Sequence, residues 1–250
     1  MKHIPRHEEI LEILTKLRTI TVPELTSRLG VSEVTIRKDL TLLEEMGYVI
    51  RSHGSARLAE DTRALSTINT RKKTNTNEKQ SIGEKAKSLI REGDTIYLDS
   101  GSTSLALAGV IKNMSLRIIT NSIDVMNTLA EEPGISLVCL GGNYRKEAGS
   151  FLGPLPMEAL KNFQIETCFI GATGFLSRGI FSAQNIMESQ LKAQVIQVSK
   201  RRVIMADSSK YEKTAFSVFA RANEVDVLIT DSGFKDGETL NKLGIEVLFA

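Results

Sequence analysis

The chain lacks the marks of several large functional classes. In its 250 residues no apolar run approaches the roughly 20 residues that a membrane-spanning helix needs. Its first residues, MKHIPRHEEI, contain no apolar core of a signal peptide. No GxxxxGK motif followed by serine or threonine is present, so a nucleoside triphosphate site is not indicated. We therefore expect a cytoplasmic protein that does not associate with membranes.

Cysteine is scarce and tryptophan is absent. The two cysteines, Cys139 and Cys168, lie in the apolar runs LVCL and TCFI, which are typical of strands. For both we expect buried free thiols rather than a disulfide bridge, metal ligands or a nucleophile. The sequence indicates no metal site, no cofactor and no catalytic residue.

An excess of charge of one sign is missing too, because the formal net charge is only +2. Placement is more informative than this sum. Glutamates cluster in the first predicted helix and at the far end of the predicted recognition helix. Five cations lie elsewhere in this region, where a DNA duplex is expected to pass. A stripe that faces phosphates is favoured there over a solvated surface with scattered arginines. The residues concerned are Arg37, Lys38, Arg51, His53 and Arg57.

The segment from Thr21 to Gly54 has the pattern of two helices joined by a turn and followed by a short hairpin. Thr21 and Glu24 have the spacing of a capping box, so a helix is predicted to begin at Thr21. Gly30 can end that helix in the left-handed conformation. Upstream, a further apolar stripe predicts another helix through Ile10, Ile13, Leu14 and Leu17.

A second helix of the pair is predicted to follow Ser32, which is a good N-cap. Its apolar row, Ile36, Leu40 and Leu43, is expected to face inward. Hydroxyl and basic groups in the first two turns of the outer face suit a helix that enters a DNA major groove. The outer face consists of Glu33, Thr35, Arg37, Lys38 and Thr41.

After this helix, the strand-like run from Tyr48 to Ile50 and the turn from Arg51 to Ser55 supply a cationic wing. A pair of amphipathic helices could also be part of a larger core. The additional helix, the wing and the hydrogen-bonding outer face favour an all-α winged helix-turn-helix domain over residues 1–58. Its predicted DNA contacts are Ser32, Thr35, Arg37, Lys38, Arg51 and His53.

Residues 59–79 are polar and rich in threonine and asparagine, and they break the hydrophobic periodicity, so we expect a linker there. Arg71, Lys72 and Lys73 form a run of cations within it. Such a run is most often a solvated face, and a supporting role in phosphate contact is the alternative. Residues 80–250 are predicted to form one larger domain for effector binding and oligomerisation.

In this larger domain, short apolar strands alternate with helices. This alternation predicts an α/β domain whose mostly parallel sheet is covered on both faces. Small ligands bind beyond the carboxyl ends of the strands in such sheets. The strand-like runs are TIYLD, LRIIT, ISLVCLG, TCFIGA, RRVIMAD, DVLIT and EVLFA.

The segments that follow these strands are rich in glycine, hydroxyl, amide and basic residues. One of them, Asp99 to Ser104, leads into a helix whose N-terminus can bind an oxyanion. One such turn is weak evidence, because serine, glycine and asparagine are common in turns. Several at one edge indicate a small phosphorylated, polyhydroxylated ligand. The predicted contacts are Asp99, Ser100, Gly101, Ser102, Thr103, Asn121, Gly142, Arg145 and Lys210.

Two stretches of the first domain resemble the DNA-binding signature of the DeoR/GlpR family of bacterial transcriptional regulators. The run V-S-x-x-T-I-R-K-D-L begins at Val31, and the run G-Y-V-x-R-x-H-G begins at Gly47. Ser55 stands where the family often has a second glycine. This departure affects the wing turn and is not expected to abolish DNA contact.

The resemblance continues through nearly the whole chain. The family's C-terminal domain resembles ribose-5-phosphate isomerase and senses sugar phosphates or related metabolites. Glu188 and Lys192 match family positions near the ligand cleft, and a surface ion pair one helical turn apart is an equal alternative. The family elements D-x-G-S-T, T-N, G-G-x-x-R, G-A-x-G and D-x-S-K are matched from Asp99, Thr120, Gly141, Gly171 and Asp207.

The resemblance implies a transcriptional regulator, usually a repressor, of carbohydrate metabolism genes, with an operator DNA duplex and a phosphorylated sugar as partners. A sugar-phosphate isomerase with a DNA-binding appendage is the alternative. The related isomerases have a loop that begins G-A-D-E, whereas the run from Gly171 to Phe175 contains no carboxylate. A domain that only dimerises is a second alternative. One small module buries too little surface for a unique DNA site, so we expect a homodimer or a homotetramer.

Overall fold

The computed structural model describes residues 4–17, 19–45, 49–52, 54–58 and 68–250. The chain divides into two compact units, Met1–Ser66 and Thr67–Ala250. Within the described residues, no helix is both long enough and apolar enough to span a bilayer.

The smaller unit is a winged helix-turn-helix, as predicted. Its elements are α1 (Ile4–Leu17), β1 (Thr19–Thr21), α2 (Val22–Leu29), α3 (Glu33–Glu45), β2 (Val49–Ser52) and β3 (Ser55–Leu58). The strands form an antiparallel sheet in the order β1-β3-β2. Strand β1 was not predicted, because three residues are too few to show an alternating pattern. The helices and the sheet share one apolar core that includes Leu14, Leu25, Leu40 and Val49.

Local sequence signals set the ends of the helix pair. Thr21 caps α2: its Oγ1 accepts a hydrogen bond from Glu24 N at 3.3 Å, and Thr21 N donates to Glu24 Oε2 at 2.9 Å. Gly30 ends α2 with φ +65°, a conformation that favours glycine. Ser32 Oγ accepts from Thr35 N at 3.3 Å at the start of α3. The predicted capping box, left-handed cap and N-cap are all confirmed.

The larger unit contains a seven-stranded parallel sheet, which confirms the predicted α/β fold. Its strands are β4 (Thr95–Leu98), β5 (Leu116–Thr120), β6 (Ile135–Cys139), β9 (Ile165–Gly171), β12 (Ser199–Met205), β14 (Val227–Thr230) and β15 (Glu246–Phe249). They lie in the order β15-β14-β12-β9-β4-β5-β6. Each neighbouring pair is parallel, so all the carboxyl ends meet at one edge of the sheet.

Helices cover both faces of this sheet. Along β4, Ile96 and Leu98 belong to one apolar cluster, and Tyr97 belongs to another, as the two-residue period of a strand requires. Leu107 of the first cluster and Leu191 of the second lie on helices that cover opposite faces. The helices of this unit are α4 (Ile68–Lys72), α5 (Thr76–Lys87), α6 (Ser102–Val110), α7 (Ile123–Leu129), α8 (Pro154–Leu160), α9 (Ile186–Gln197) and α10 (Gly237–Lys242).

Two small antiparallel sheets accompany the large one and were not predicted. One pairs β7 (Asn143–Arg145) with β8 (Ser150–Leu152). The other joins β10 (Gly174–Leu176), β11 (Ile180–Ala183) and β13 (Ser217–Arg221). Most of these strands have only three or four residues, so they show too little alternation for recognition from sequence.

The two cysteines differ in burial, which corrects one prediction. Both are free thiols. Cys168, on the central strand β9, is fully buried, and burial raises the pKa of its thiol to about 11. Cys139 is exposed, because it ends β6, which is the last strand of the sheet within the described residues. The prediction of a buried thiol at Cys139 is wrong.

The predicted linker contains regular structure. Helix α4 and the first turn of α5 both fall within residues 59–79 and belong to the larger unit. Polar composition concealed these helices, because Ile68 is the one large apolar side chain among their residues in this range. The predicted bounds of 1–58, 59–79 and 80–250 remain a prediction.

Candidate functional sites

The outer face of α3 carries most of the residues predicted to contact DNA. Ser32 lies just before the helix, and Arg37 and Lys38 are exposed. Arg37 Nη2 lies 3.1 Å from Glu33 Oε2, a surface ion pair that a phosphate or a base can displace. Ser32 Oγ and Thr35 Oγ1 lie 2.9 Å apart. These side chains therefore form one polar, accessible surface.

Strand β2 places one further predicted contact beside α3. Arg51 Nη1 donates to Thr41 Oγ1 at 2.5 Å, and Arg51 N donates to Glu44 Oε1 at 2.9 Å. Gly54, in the hairpin turn, has φ +79°. His53, the other predicted contact from the wing, lies outside the described residues. Strand β2 of the wing is thus hydrogen-bonded to α3.

A buried carboxylate fixes α3 from behind, and sequence reasoning gave it no role. Asp39 is fully buried. Arg6 Nε donates to Asp39 Oδ2 at 2.5 Å, and His7 Nε2 lies 3.0 Å from Asp39 Oδ1. Both partners come from α1, so they hold α3 in the orientation that presents its outer face. The available signal was an acidic residue directly before Leu40, on the apolar side of the helix.

A second buried group of charges lies at the carboxyl edge of the large sheet. Lys192 Nζ, from α9, lies 2.9 Å from Asp99 Oδ2 and 3.0 Å from Glu188 Oε1. It also donates to the Gly171 carbonyl oxygen at 2.6 Å. Lys192 is only 2% exposed. The alternative of a surface ion pair between Glu188 and Lys192 is therefore wrong. We call Asp99, Lys192 and Glu188 the buried charge chain.

The buried charge chain keeps its lysine protonated. Burial acts to lower the pKa of Lys192, but the carboxylates of Asp99 and Glu188 outweigh it and leave that pKa raised. Burial acts to raise the pKa of Glu188, and the positive charges of Lys192, Arg71 and Arg145 outweigh it and leave that pKa lowered. For Asp99, burial is the larger influence and raises the pKa. An ammonium group is thus held between two carboxyl groups.

The predicted contacts between β4 and α6 lie around a helix N-terminus. Ser100 and Thr103 are buried, and Ser102 and Gly101 are partly exposed. The N-cap of α6 is Gly101, so no side chain at that position accepts a hydrogen bond from the first backbone N–H groups of the helix. The first backbone N–H groups of a helix have no partners within it, so they can bind an anion here.

Asn121, another predicted contact, is already bonded within the protein. Its Oδ1 accepts from the Tyr97 hydroxyl at 2.9 Å, and its Nδ2 donates to the Phe151 carbonyl oxygen at 3.1 Å. It is 1% exposed. The side chain therefore joins the end of β5 to β8, and its contact with a ligand remains a prediction.

Lys210 lies in a short 3-10 helix, Ser208–Lys210, that follows β12. Asp207 caps this turn, and its Oδ1 accepts from Ser209 N at 3.1 Å and from Asn75 Nδ2 at 2.9 Å. Burial lowers the pKa of Lys210, although Asp207 opposes this effect. The ammonium group is thus partly removed from water at the same edge of the sheet.

Two predicted ligand contacts, Gly142 and Arg145, follow β6, and their surroundings differ. Gly142 has φ +116°, and a Cβ there would lie 2.7 Å from the Leu152 carbonyl oxygen and 2.8 Å from Pro156 Cδ. Close packing therefore requires a glycine at this position, and its contact with a ligand remains a prediction. Arg145 Nε lies 3.9 Å from Glu147 Oε2, and its Nη1 is buried without a hydrogen-bond partner in the protein.

Buried donors without partners are concentrated in the larger unit. Of six such side-chain atoms among the described residues, all but Thr26 Oγ1 belong to it. Folded proteins leave few buried polar groups unpaired. Four of them lie near the carboxyl ends of the parallel strands. Ser104 is in α6, which follows β4, and Arg145 is in β7, which follows β6. Thr230 ends β14, and Ser150 forms a β-bridge with Ser122, two residues after the end of β5. The atoms are Arg71 Nε, Ser104 Oγ, Arg145 Nη1, Ser150 Oγ and Thr230 Oγ1.

Two family models match the chain, one on each unit. The DeoR-like helix-turn-helix domain matches residues 6–62, and the DeoR C terminal sensor domain matches residues 74–232.

Similar proteins span nearly the whole chain. The HTH-type transcriptional repressor GlcR of Bacillus subtilis (strain 168) is 35% identical over 243 residues, 96% of this chain and 93% of that protein. The glycerol-3-phosphate regulon repressor of Escherichia coli (strain K12) is 31% identical over 237 residues, 93% of this chain and 92% of that protein. A solved structure, ribose 5-phosphate isomerase A of Methanocaldococcus jannaschii, is 17% identical, with a TM-score of 0.42 over 55% of each chain.

Proposed function

This chain belongs to the DeoR family of transcriptional regulators, and from this premise we propose how its two units act. The protein is a DNA-binding transcriptional repressor of carbohydrate metabolism genes. Its smaller unit binds operator DNA through α3, with the wing on the backbone or in the minor groove. The proposed DNA contacts are Ser32, Thr35, Arg37, Lys38, Arg51 and His53.

The larger unit, we infer, binds a phosphorylated sugar at the carboxyl edge of the sheet. The observation that carries this proposal is the set of buried hydrogen-bond donors without protein partners. Guanidinium groups and a helix N-terminus suit a phosphate, and serine and threonine hydroxyls suit the hydroxyls of a sugar. The E. coli relative is named for a glycerol-3-phosphate regulon, which supports a phosphorylated effector. The proposed contacts are Asp99, Ser100, Gly101, Ser102, Thr103, Asn121, Gly142, Arg145 and Lys210.

We propose that this site binds its ligand without converting it. Aldose–ketose isomerisation needs a base within reach of a carbon-bound proton. The run from Gly171 to Gly174 offers no carboxylate, and Asp99 Oδ2 is bonded to Lys192 Nζ and Gly171 N. Incubation of the purified protein with aldose phosphates is expected to give no ketose. Ketose formation that disappears in Asp99→Asn or Asp207→Asn would favour the isomerase alternative.

A thermal-shift panel of phosphorylated sugars tests the effector site. A ligand at 100 times its dissociation constant stabilises the folded state by about 2.7 kcal/mol. We expect at least one phosphorylated sugar to raise Tm, and its unphosphorylated parent to have no effect. Arg145→Gln should abolish the shift, whereas Arg117→Gln, at an exposed arginine of β5, should keep it. A domain that only dimerises predicts no shift with any compound.

We expect the repressor to act in the cytoplasm as a homodimer or homotetramer. One small DNA-binding unit buries too little surface to define a unique site, so two units on repeated half-sites are expected. Sedimentation of the protein with a DNA duplex, selected from a random pool by the wild-type chain, measures the stoichiometry. A single chain on one duplex would contradict this expectation.

A further inference from the structure

Helix α4 is fixed to the larger unit at both of its ends. At its start, Ile68 N donates to the Glu147 carbonyl oxygen at 2.8 Å. At its end, the buried ammonium of Lys79 donates to the carbonyl oxygens of Arg71, at 2.6 Å, and of Thr74. A positive charge at a helix C-terminus is favourable for the helix dipole. This segment is therefore an ordered part of the larger unit rather than a solvated linker.

Arg71, on α4, has unused hydrogen-bonding capacity next to the buried charge chain. Its Nε is buried and has no hydrogen-bond partner in the protein, and the same holds for Arg145 Nη1. Both arginines act electrostatically on the carboxylate of Glu188. The hydrogen bond from Ile68 N to the Glu147 carbonyl oxygen also joins the start of α4 to the chain two residues after Arg145, so the fold brings together the two segments that carry these arginines.

We propose that Arg71 and Arg145 together hold the phosphate of the bound sugar, and that Arg71 thereby makes α4 the element through which the ligand acts on the DNA-binding unit. This inference rests on the effector site proposed above. Guanidinium is the side-chain group whose planar, forked donors match a phosphate in a bidentate way. A phosphate that accepts hydrogen bonds from both arginines satisfies both buried donors.

The position of Arg71 in the chain gives this contact its regulatory consequence. The smaller unit ends at Ser66, and α4 begins at Ile68. A ligand that accepts a hydrogen bond from Arg71 therefore stabilises the attachment of α4 to the larger unit. A ligand shifts a conformational equilibrium only when it binds one state more tightly than the other. The Arg71 contact supplies such a difference, because it depends on where α4 lies.

The test compares Arg71→Gln with Lys73→Gln in the full chain. Both variants remove one positive charge from the same segment, but Lys73 is exposed. The probes are inorganic phosphate and the phosphorylated sugar that gives the wild-type chain its largest thermal shift. Calorimetric titration should show affinity for the sugar reduced about 10- to 100-fold in Arg71→Gln, the usual effect of losing a charge-assisted hydrogen bond. Lys73→Gln should bind within about twofold of wild type.

A second readout separates regulation from binding. With each variant saturated by the sugar, the ligand-dependent change in affinity for a selected operator duplex should be smaller in Arg71→Gln than in Lys73→Gln. Equal changes in the two variants would overturn the regulatory role of Arg71. If Arg71→Gln fails to fold, Arg71→Lys serves instead. Lysine keeps the positive charge but lacks the bidentate donors of guanidinium, so this variant should still bind the sugar more weakly than wild type.

Failure of this inference is distinguishable from failure of the effector site. A wild-type chain that binds no phosphorylated sugar overturns both. A wild-type chain that binds the sugar, together with Arg71→Gln and Arg71→Lys variants that bind it equally well, overturns only the role of Arg71.

Discussion

The outer face of α3 and the carboxyl edge of the large sheet both carry charged side chains, but in opposite surroundings. The side chain of Arg37 is 50% exposed and pairs with Glu33. The side chain of Lys192 is 3% exposed and pairs with two carboxylates. An exposed cation can exchange its partner for a DNA phosphate at little cost. Water does not reach a buried ion pair, so removal of the cation leaves its carboxylate partners without a counter-charge and without solvation.

The largest expected effect comes from Lys192→Met, which removes the ammonium group between Asp99 and Glu188. We expect the free energy of unfolding in urea to fall by about 3–5 kcal/mol, because two buried carboxyl groups lose their counter-charge. The matched control is Lys161→Met. Lys161 Nζ lies 2.6 Å from Glu158 Oε2, but its side chain is 62% exposed, and we expect a loss of at most about 1 kcal/mol. Similar losses in the two variants would remove the contrast between buried and exposed charges.

The second prediction concerns the contribution of the buried Asp39 carboxylate to the stability of the smaller unit. Asp39→Asn weakens the hydrogen bonds with Arg6 and His7, so the free energy of unfolding should fall by about 1.5–3 kcal/mol. Glu33→Gln, on the exposed face of the same helix, should change it by about 0.5 kcal/mol or less. Equal effects would mean that Asp39 does not hold α3 in place.

The effect of Asp39→Asn should also depend on pH. Burial acts to raise the pKa of Asp39, but the hydrogen bonds from Arg6 and His7 outweigh it and leave that pKa lowered. A carboxyl group with a lowered folded pKa stabilises the fold above its unfolded pKa of about 4, and this contribution is lost as pH falls through the folded pKa. The difference between wild type and Asp39→Asn should therefore shrink below about pH 4. Urea unfolding between neutral and acidic pH measures it, and a constant difference would contradict the proposed ion pairing.

The smallest expected effect concerns the exposed charges. Arg37→Ala should weaken binding to a selected operator duplex by about 1–3 kcal/mol if the side chain forks onto guanine, with little change in stability. Arg91→Ala, at an exposed arginine of the larger unit, serves as the control. Affinities must be compared at one salt concentration. An unchanged footprint and affinity in Arg37→Ala would exclude this residue from the contacts.

The sequence was most informative where structure depends on neighbouring residues. Thr21 and Glu24 form a cap across one turn, and Gly30 supplies a left-handed conformation by itself, so both were predictable. The strands of the large sheet were also predictable, because burial on both faces makes each one a short apolar run.

The sequence was least informative where a charge is buried by distant parts of the chain. Glu188 and Lys192 have the spacing of a surface ion pair, and only the packing of α9 against the sheet brings Asp99 to within 2.9 Å of Lys192. Arg71 lies in a polar run that is typical of a linker, yet its Nε is buried in the folded domain. Local spacing cannot reveal such contacts, because the partners lie far apart in the sequence.

The most direct test of this account is the affinity of the wild-type chain for its selected operator duplex, with and without a saturating phosphorylated sugar, at fixed salt. Coupling between the two units predicts a change of about 5- to 150-fold, in either direction. An unchanged affinity, with calorimetry showing that the sugar is bound, would contradict the claim that this chain is a DNA-binding regulator controlled by its larger unit.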